Sequence, residues 1–142
     1  AGLWDVGTAT CASTLDGHIG SICALAVLMD GRLASGSRDK TVRLWDTATG
    51  TCICVLTGLT CWVLALVVLP GDQLASASSD GTIRVWDTRD DAGGAGGALA
   101  QPPLVLTAPA SVSAVVPLPG NRLATGGDSL CLWQLPPRPR GL

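Results

Sequence analysis

Residues 33–46 read LASGSRDKTVRLWD, and residues 74–87 read LASASSDGTIRVWD. The tryptophans of the two stretches, Trp45 and Trp86, lie 41 residues apart. Trp4 precedes Trp45 by the same interval, and it therefore marks the end of an earlier copy. The chain is thus organised by an internal repeat, and a period of about 40 residues indicates one small supersecondary unit per copy.

A third copy ends in NRLATGGDSLCLWQ at residues 121–134, where an insertion has stretched the interval to Trp133 to 47 residues. The first copy also carries Gly17-His18, 27 residues before Trp45. With its Gly-His and Trp-Asp pairs, the chain resembles the WD-repeat β-propeller family over nearly its whole length. The resemblance implies an all-β fold of propeller blades, each made of four antiparallel strands.

The repeats predict five segments along the chain. These are the end of a preceding blade, two blades, a degenerate blade and a Pro-rich tail, at residues 1–16, 17–57, 58–106, 107–135 and 136–142. Complete propellers have about 4–8 blades, so roughly three and a half blades leave the ring incomplete in this chain alone. The expected completion is the rest of a longer parent propeller, of which this chain is a fragment; the alternative is further copies of this chain.

Turn residues divide each copy into strands a to d. In the first copy the strands are predicted at residues 21–27, 32–37, 41–45 and 51–56. In the second copy they are predicted at 62–69, 73–78, 82–86 and about 103–106. A Gly-rich insertion at residues 90–103 separates the last two of these strands, and we expect it to form a tolerated surface loop.

Composition excludes several classes of function. A net charge of −2 provides no basic field for nucleic acid. The longest apolar run, residues 62–69, is far shorter than the about 20 residues of a membrane-spanning helix. The six cysteines lack paired Cys-x-x-Cys spacing, so neither a zinc site nor a disulfide framework is expected. Cys52 and Cys54 alternate along strand d and should point to one face. Unpaired cysteines favour a reducing, cytoplasmic location.

The lone histidine, His18, is predicted to be structural. In the resembling family, a His, a strand-b Ser or Thr, the b–c turn Asp and the strand-c Trp form one hydrogen-bonded relay per blade. The resemblance therefore implies a relay of His18, either Ser35 or Ser37, Asp39 and Trp45 in the first copy. Catalysis is not expected, because the chain has no second His and no Glu with which to pair an acid and a base.

The relay should weaken in later copies. In the second copy Leu59 stands at the His position, and the residues that remain are Ser76 or Ser78, Asp80 and Trp86. In the third copy Ala108-Pro109 replace Gly-His, and Trp133 is the relay residue that remains.

Trp62 is the candidate partner-binding residue. It lies at the entry to strand a, on the rim where related propellers bind peptides, and its counterparts in the other copies are Ser21 and Ser111. An exposed aromatic side chain on a rim is a natural hot spot. The alternative is that Trp62 packs over a neighbouring blade.

These patterns predict a non-catalytic protein–protein interaction scaffold that needs no cofactor and no metal. No P-loop, metal cage or activated nucleophile is present in the sequence. The partners would be other proteins, whereas nucleic acid and membranes are not expected. The alternative function is a purely architectural segment of a large complex, or a self-assembling partial propeller without a ligand site.

Overall fold

The structure is a computed structural model, and it describes residues 2–8, 10–71, 73–88 and 103–136. All regular secondary structure in these ranges is β-strand. The strands are β1 (Gly2–Asp5), β2 (Thr10–Thr14), β3 (Ile22–Val27), β4 (Leu33–Ser37), β5 (Val42–Asp46), β6 (Thr51–Leu56), β7 (Val63–Leu69), β8 (Gln73–Ser78), β9 (Thr82–Asp87), β10 (Leu104–Thr107), β11 (Val112–Leu118), β12 (Arg122–Gly127) and β13 (Cys131–Gln134).

The strands form four antiparallel sheets in sequence order. An N-terminal sheet of β1 and β2 precedes the first blade (β3–β6), the second blade (β7–β10) and the third blade (β11–β13). The predicted all-β fold of propeller blades is confirmed, and the ring is not closed. The strands of the first two blades begin and end within one residue of the predicted bounds. Apart from Pro103 and Pro136, the insertion 90–103 and the tail 136–142 lie outside the described residues.

Antiparallel pairing puts the loops of each blade at two opposite ends. One end, which we call the upper rim, carries the segment before strand a and the b–c turn. The other end, the lower rim, carries the a–b and c–d turns. At the upper rim of the second blade, Gly81 has φ +88°, and a Cβ there would lie 2.7 Å from the carbonyl oxygen of Ala110. The turn therefore requires glycine to approach the start of the third blade.

Neighbouring blades bury separate apolar cores between them. One core joins the first and second blades and contains Val42, Leu44 and Val63, which are fully buried. A second core joins the second and third blades around Ile83 and Leu123. Each fully buried aliphatic side chain contributes about 1.5–3 kcal/mol. The fold is therefore held together chiefly by contacts between blades.

The closeness of this packing is clearest at Gly36 in strand b of the first blade. A Cβ at Gly36 would lie 2.5 Å from Cγ1 of Val63, which belongs to the second blade. The third blade has Gly126 at the corresponding position, and a Cβ there would meet nothing within 4 Å. The same residue type thus faces a crowded interface in one blade and open space in another.

The first and third blades expose apolar side chains where no neighbouring sheet covers them. In β3, the side chains of Leu25 and Val27 are 55% and 66% exposed. In the third blade, Val116 and Leu132 are 54% and 69% exposed. The innermost strand of the second blade, β7, is covered on both sides by contacts with β3 and β11. Its continuous apolar sequence is explained by this position between two blades.

One sequence prediction about the cysteines is wrong. The pairing of β5 with β6 shifts register, so that Leu44 opposes Cys54 while Trp45 opposes Cys52. This bulge turns Cys54 into the core between the first and second blades, whereas Cys52 packs against Trp45 on the side of the N-terminal sheet. Strict alternation fails at a bulge because one extra residue is left unpaired.

Candidate functional site: the blade relays and the upper rim

The first blade contains a continuous chain of hydrogen bonds. The indole Nε1 of Trp45 donates to Oγ of Ser35 over 2.8 Å, and the same oxygen lies 2.6 Å from Nε2 of His18. Nδ1 of His18 lies 2.8 Å from Oδ2 of Asp39. The side chains of His18 and Asp39 are only 3% and 4% exposed. The structure therefore brings His18, Ser35, Asp39 and Trp45 together in one buried network.

Strand register decides which serine enters this network. Leu33 opposes Trp45 and Ser35 opposes Arg43 across β4 and β5, so Ser35 lies two residue pairs along the ladder from Trp45. Ser37 has a different partner, because its Oγ accepts from the backbone N–H of Asp39 over 3.1 Å. Ser37 therefore holds the b–c turn, and Ser35 is the relay serine.

The carboxylate of Asp39 accepts several hydrogen bonds. Oδ1 accepts from the hydroxyl and the backbone N–H of Thr41 over 2.5 Å and 2.9 Å. Oδ2 accepts from the backbone N–H of Ile19 over 3.1 Å as well as from His18. Burial acts to raise the pKa of Asp39, but the bonds from Thr41, His18 and Ile19 and the charge on His18 outweigh it and lower the pKa to about 2. Asp39 is therefore an ionised, internally satisfied acceptor.

The second blade keeps only part of the relay. Nε1 of Trp86 donates to Oγ of Ser76 over 3.1 Å, and Leu59 is buried at the His position. Asp80 instead accepts from the hydroxyls of Thr60 and Thr82. Burial acts to raise the pKa of Asp80, but these bonds and the charge of Arg84 lower it. Thr60 therefore bonds to the turn aspartate of the second blade, as His18 does in the first blade. The sequence did not lead us to predict this role for Thr60.

Ser78, the other serine predicted for the relay of the second blade, lies apart from the Trp86–Ser76 pair. Oγ of Ser78 is buried and has no hydrogen-bond partner among the residues that the structure describes. In the third blade, Nε1 of Trp133 donates to Oγ1 of Thr125 over 2.9 Å. Sequence reasoning missed Thr125, although it occupies the third position of LATGG just as Ser35 does in LASGS.

The upper rim presents Trp62, whose side chain is 43% exposed. The guanidinium carbon of Arg38 lies 4.5 Å from the centroid of the Trp62 ring. Arg38 donates its backbone N–H to the carbonyl of Ser21 over 2.9 Å, and Trp62 accepts from the backbone N–H of Ser79 over 3.1 Å. Trp62 therefore contacts the neighbouring first blade through Arg38 and also offers an accessible surface. Sequence reasoning did not foresee the Arg38 contact.

The lower rim has a cleft of about 420 Å³ beside Asp30, Arg32, Asp46 and other residues of the first blade. Arg32 pairs with Asp30, at 2.7 Å between Nε and Oδ2. Nη2 of Arg32 also donates to Oγ1 of Thr88 in the second blade over 3.3 Å. The bond from Arg32 to Thr88 thus joins the first blade to the second.

No group of three or more His, Cys, Asp or Glu side chains that could hold a metal occurs within the described parts of the chain. None of the six cysteines is in a disulfide there. The same residues include no helix long and apolar enough to cross a membrane.

A family model described as WD domain, G-beta repeat (WD40) matches residues 9–46 and residues 50–87, which together make up more than half of the chain. The first match spans β2 to β5, and the second spans β6 to β9. Each match therefore contains strand d of one sheet followed by strands a, b and c of the next. The search of curated proteins returned no match.

Proposed function

Because the chain belongs to the WD40 repeat family, we propose that it is a non-catalytic protein–protein interaction scaffold that binds its partner at the upper rim. Repeats of this family are generally protein-interaction scaffolds, and they typically bind other proteins. The proposal adds a location on this particular chain, at the junction of the first and second blades.

The stacking of Arg38 on Trp62 is the observation that carries this proposal. Trp and Arg are among the residue types enriched at binding hot spots, since each offers a large contact surface and donors for hydrogen bonds. Backbone hydrogen bonds at Arg38 and Trp62 hold the pair in place before any partner arrives. A preorganised aromatic surface loses little side-chain freedom on binding, which favours affinity.

The surroundings of His18 support a scaffold over an enzyme. Both ring nitrogens of His18 already have partners, in Ser35 and Asp39, and the side chain is almost completely buried. A general base must reach a proton on its substrate. His18 is therefore better suited to joining strands of the first blade than to catalysis.

A purely architectural role is the second candidate, and it is favoured by the exposed apolar faces of the outer blades. Leu25 and Val27 on one side, with Val116 and Leu132 on the other, would be covered by neighbouring blades. Those blades would come from the rest of a parent propeller or from further copies of this chain. This role is compatible with a rim site, because the rim and the blade faces are different surfaces.

We also propose a cytoplasmic location, since cysteines outside disulfides fit a reducing compartment. The net charge of −2 fits protein partners better than nucleic acid or anionic membranes.

Selection from a display library of random short peptides tests the rim site. The full chain is immobilised at low density, so that exposed blade faces do not associate, and the peptides recovered are compared with those recovered by Trp62→Ala. The control is Trp4→Ala, which removes another exposed tryptophan, 67% exposed, away from this rim. We expect Trp62→Ala to lose the selected peptides and Trp4→Ala to keep them. Peptides that bind both variants equally would refute the rim site.

A further inference from the structure

The b–c turn of the first blade separates its charges. Its sequence is Arg38-Asp39-Lys40, but the Asp39 side chain points inward to His18 while Arg38 and Lys40 are exposed. Within the parts of the chain that the structure describes, no ion pair includes Arg38 or Lys40. The carboxylate of this turn is thus bonded within the protein, whereas its two cationic side chains are exposed to solvent.

The guanidinium of Arg38 lies over the ring of Trp62, with its carbon 4.5 Å from the ring centroid. A guanidinium that lies over an aromatic ring uses its face for this contact and keeps its N–H donors in the plane at its edge. Those edge donors match the two oxygens of a carboxylate in a bidentate pair. Because the backbone N–H of Arg38 is bonded to Ser21, the base of the side chain is also fixed.

Apolar surface lies beside these cations. The side chain of Ile19 is 94% exposed, and its backbone N–H is bonded to Asp39, which holds it next to the turn. The approach is close, since a Cβ on Gly20 would lie 2.8 Å from the backbone nitrogen of Asp39. Trp62 adds the aromatic part of the surface. We name Ile19, Arg38, Lys40 and Trp62 together the cationic rim site.

We infer that the cationic rim site binds an acidic peptide segment of a partner protein, in which Asp or Glu alternates with apolar residues. A carboxylate of the segment pairs with the edge of Arg38, a second one lies near Lys40, and an apolar side chain packs on Trp62 and Ile19. The inference rests on the proposed rim function and adds the chemistry of the partner.

Two neighbouring features limit what the site accepts. Asp80 on the second blade is the acid of the adjacent turn, but its carboxylate is bonded by Thr60 and Thr82. Phosphorylated segments are typically recognised by clusters of arginines, and Arg38 is the single arginine of this site. Carboxylates spread along a peptide fit one guanidinium and one ammonium better.

Fluorescence anisotropy with two labelled peptides tests the inference. One peptide repeats Leu-Glu, and the other repeats Leu-Gln. We expect the full chain to bind the Glu peptide about tenfold or more tightly than the Gln peptide. Added salt should weaken only the Glu peptide, because screening acts on the charged pair.

Variants assign the binding to these residues. Arg38→Ala and, separately, Lys40→Gln should each weaken the Glu peptide, with about a tenfold loss for Arg38→Ala. The control is Arg122→Ala, which removes an exposed arginine at the lower rim of the third blade. Thermal melting of each variant checks that the fold is retained, and Lys40→Gln provides a second test if Arg38→Ala fails to fold.

Failure of this inference is distinguishable from failure of the rim function. If the Gln peptide binds as tightly as the Glu peptide, if Arg38→Ala and Lys40→Gln both leave binding unchanged, or if the Glu peptide does not bind, the acidic partner is refuted. Library peptides that depend on Trp62 would still support the rim as a binding surface in each of these cases.

Discussion

Nδ1 of His18 lies 2.8 Å from Oδ2 of Asp39, although 21 residues separate them in the sequence. This contact ties the segment before strand a to the b–c turn on the upper rim. The same carboxylate accepts from Thr41 and Ile19, so one side chain organises much of the rim of the first blade.

Asp39→Ala should lower the free energy of unfolding by roughly 1–3 kcal/mol, since it leaves several buried donors without an acceptor. The matched control is Asp128→Ala in the third blade, where the side chain is exposed. We expect that control to change stability by less than about 0.5 kcal/mol. Chemical denaturation of both variants measures the difference, and equal losses would contradict the assignment of the relay to the first blade.

The contribution of Asp39 should disappear in acid. Its pKa is about 2 in the folded chain against an ordinary value of 3.8, so the ionised carboxylate stabilises the fold above about pH 4. That stabilisation, about 2 kcal/mol by linkage, is lost as the pH falls from about 4 through about 2. Unfolding curves of the wild type and Asp39→Asn should therefore converge over this range. A gap that stays constant down to pH 2 would show that ionisation of Asp39 is not the cause.

His18 should bind no metal, because both of its ring nitrogens are already engaged. Elemental analysis after incubation with zinc and dialysis should find far less than one zinc per chain. His18→Gln serves as the control and should give the same value. A tight one-to-one site that His18→Gln abolishes would overturn this interpretation.

Gly36→Ala should destabilise the chain by about 1–3 kcal/mol, because the added methyl group would collide with Val63 of the second blade. Gly126→Ala has no such neighbour, and we expect it to be neutral or to stabilise by up to about 1 kcal/mol. Thermal unfolding of the pair measures the contrast. Similar effects at both sites would mean that the first and second blades do not pack as closely as described.

The exposed blade faces should make the isolated chain self-associate. Light scattering after size exclusion should detect dimers, trimers or larger species rather than a single 14.4 kDa monomer. Replacing Leu25 and Val27 by serine should reduce this association, since both side chains are already exposed and their loss costs little core packing. A sharp monomer with a cooperative melt would show that the open faces need no cover.

The sequence predicted those features that recur at the repeat interval. Strands and turns recur in each copy, and they were located within one residue in the first two blades. The repeat could not show whether Ser35 or Ser37 belongs to the relay, because both residues lie in the same buried strand. Only the register against β5 distinguishes them.

Features that depend on a single copy were missed for a physical reason. Arg38 and Trp62 occur once each at their repeat positions, and their contact joins different blades. The bulge between Cys52 and Cys54 depends on strand pairing, which alternation along one strand does not reveal. Thr125 could have been found, because it aligns with Ser35 and Ser76 and can also accept from an indole.

The offset between the WD40 matches and the sheets has a mechanical consequence. Residues 50–87 supply β6 to the first blade and β7 to β9 to the second, so one repeat unit is shared between two sheets. Pulling this unit away would strip an edge strand from its neighbour as well as break the apolar core between them. Adjacent blades are thus linked by the strand that they share with one repeat. A mechanical force applied to one blade is transmitted through the backbone to the next.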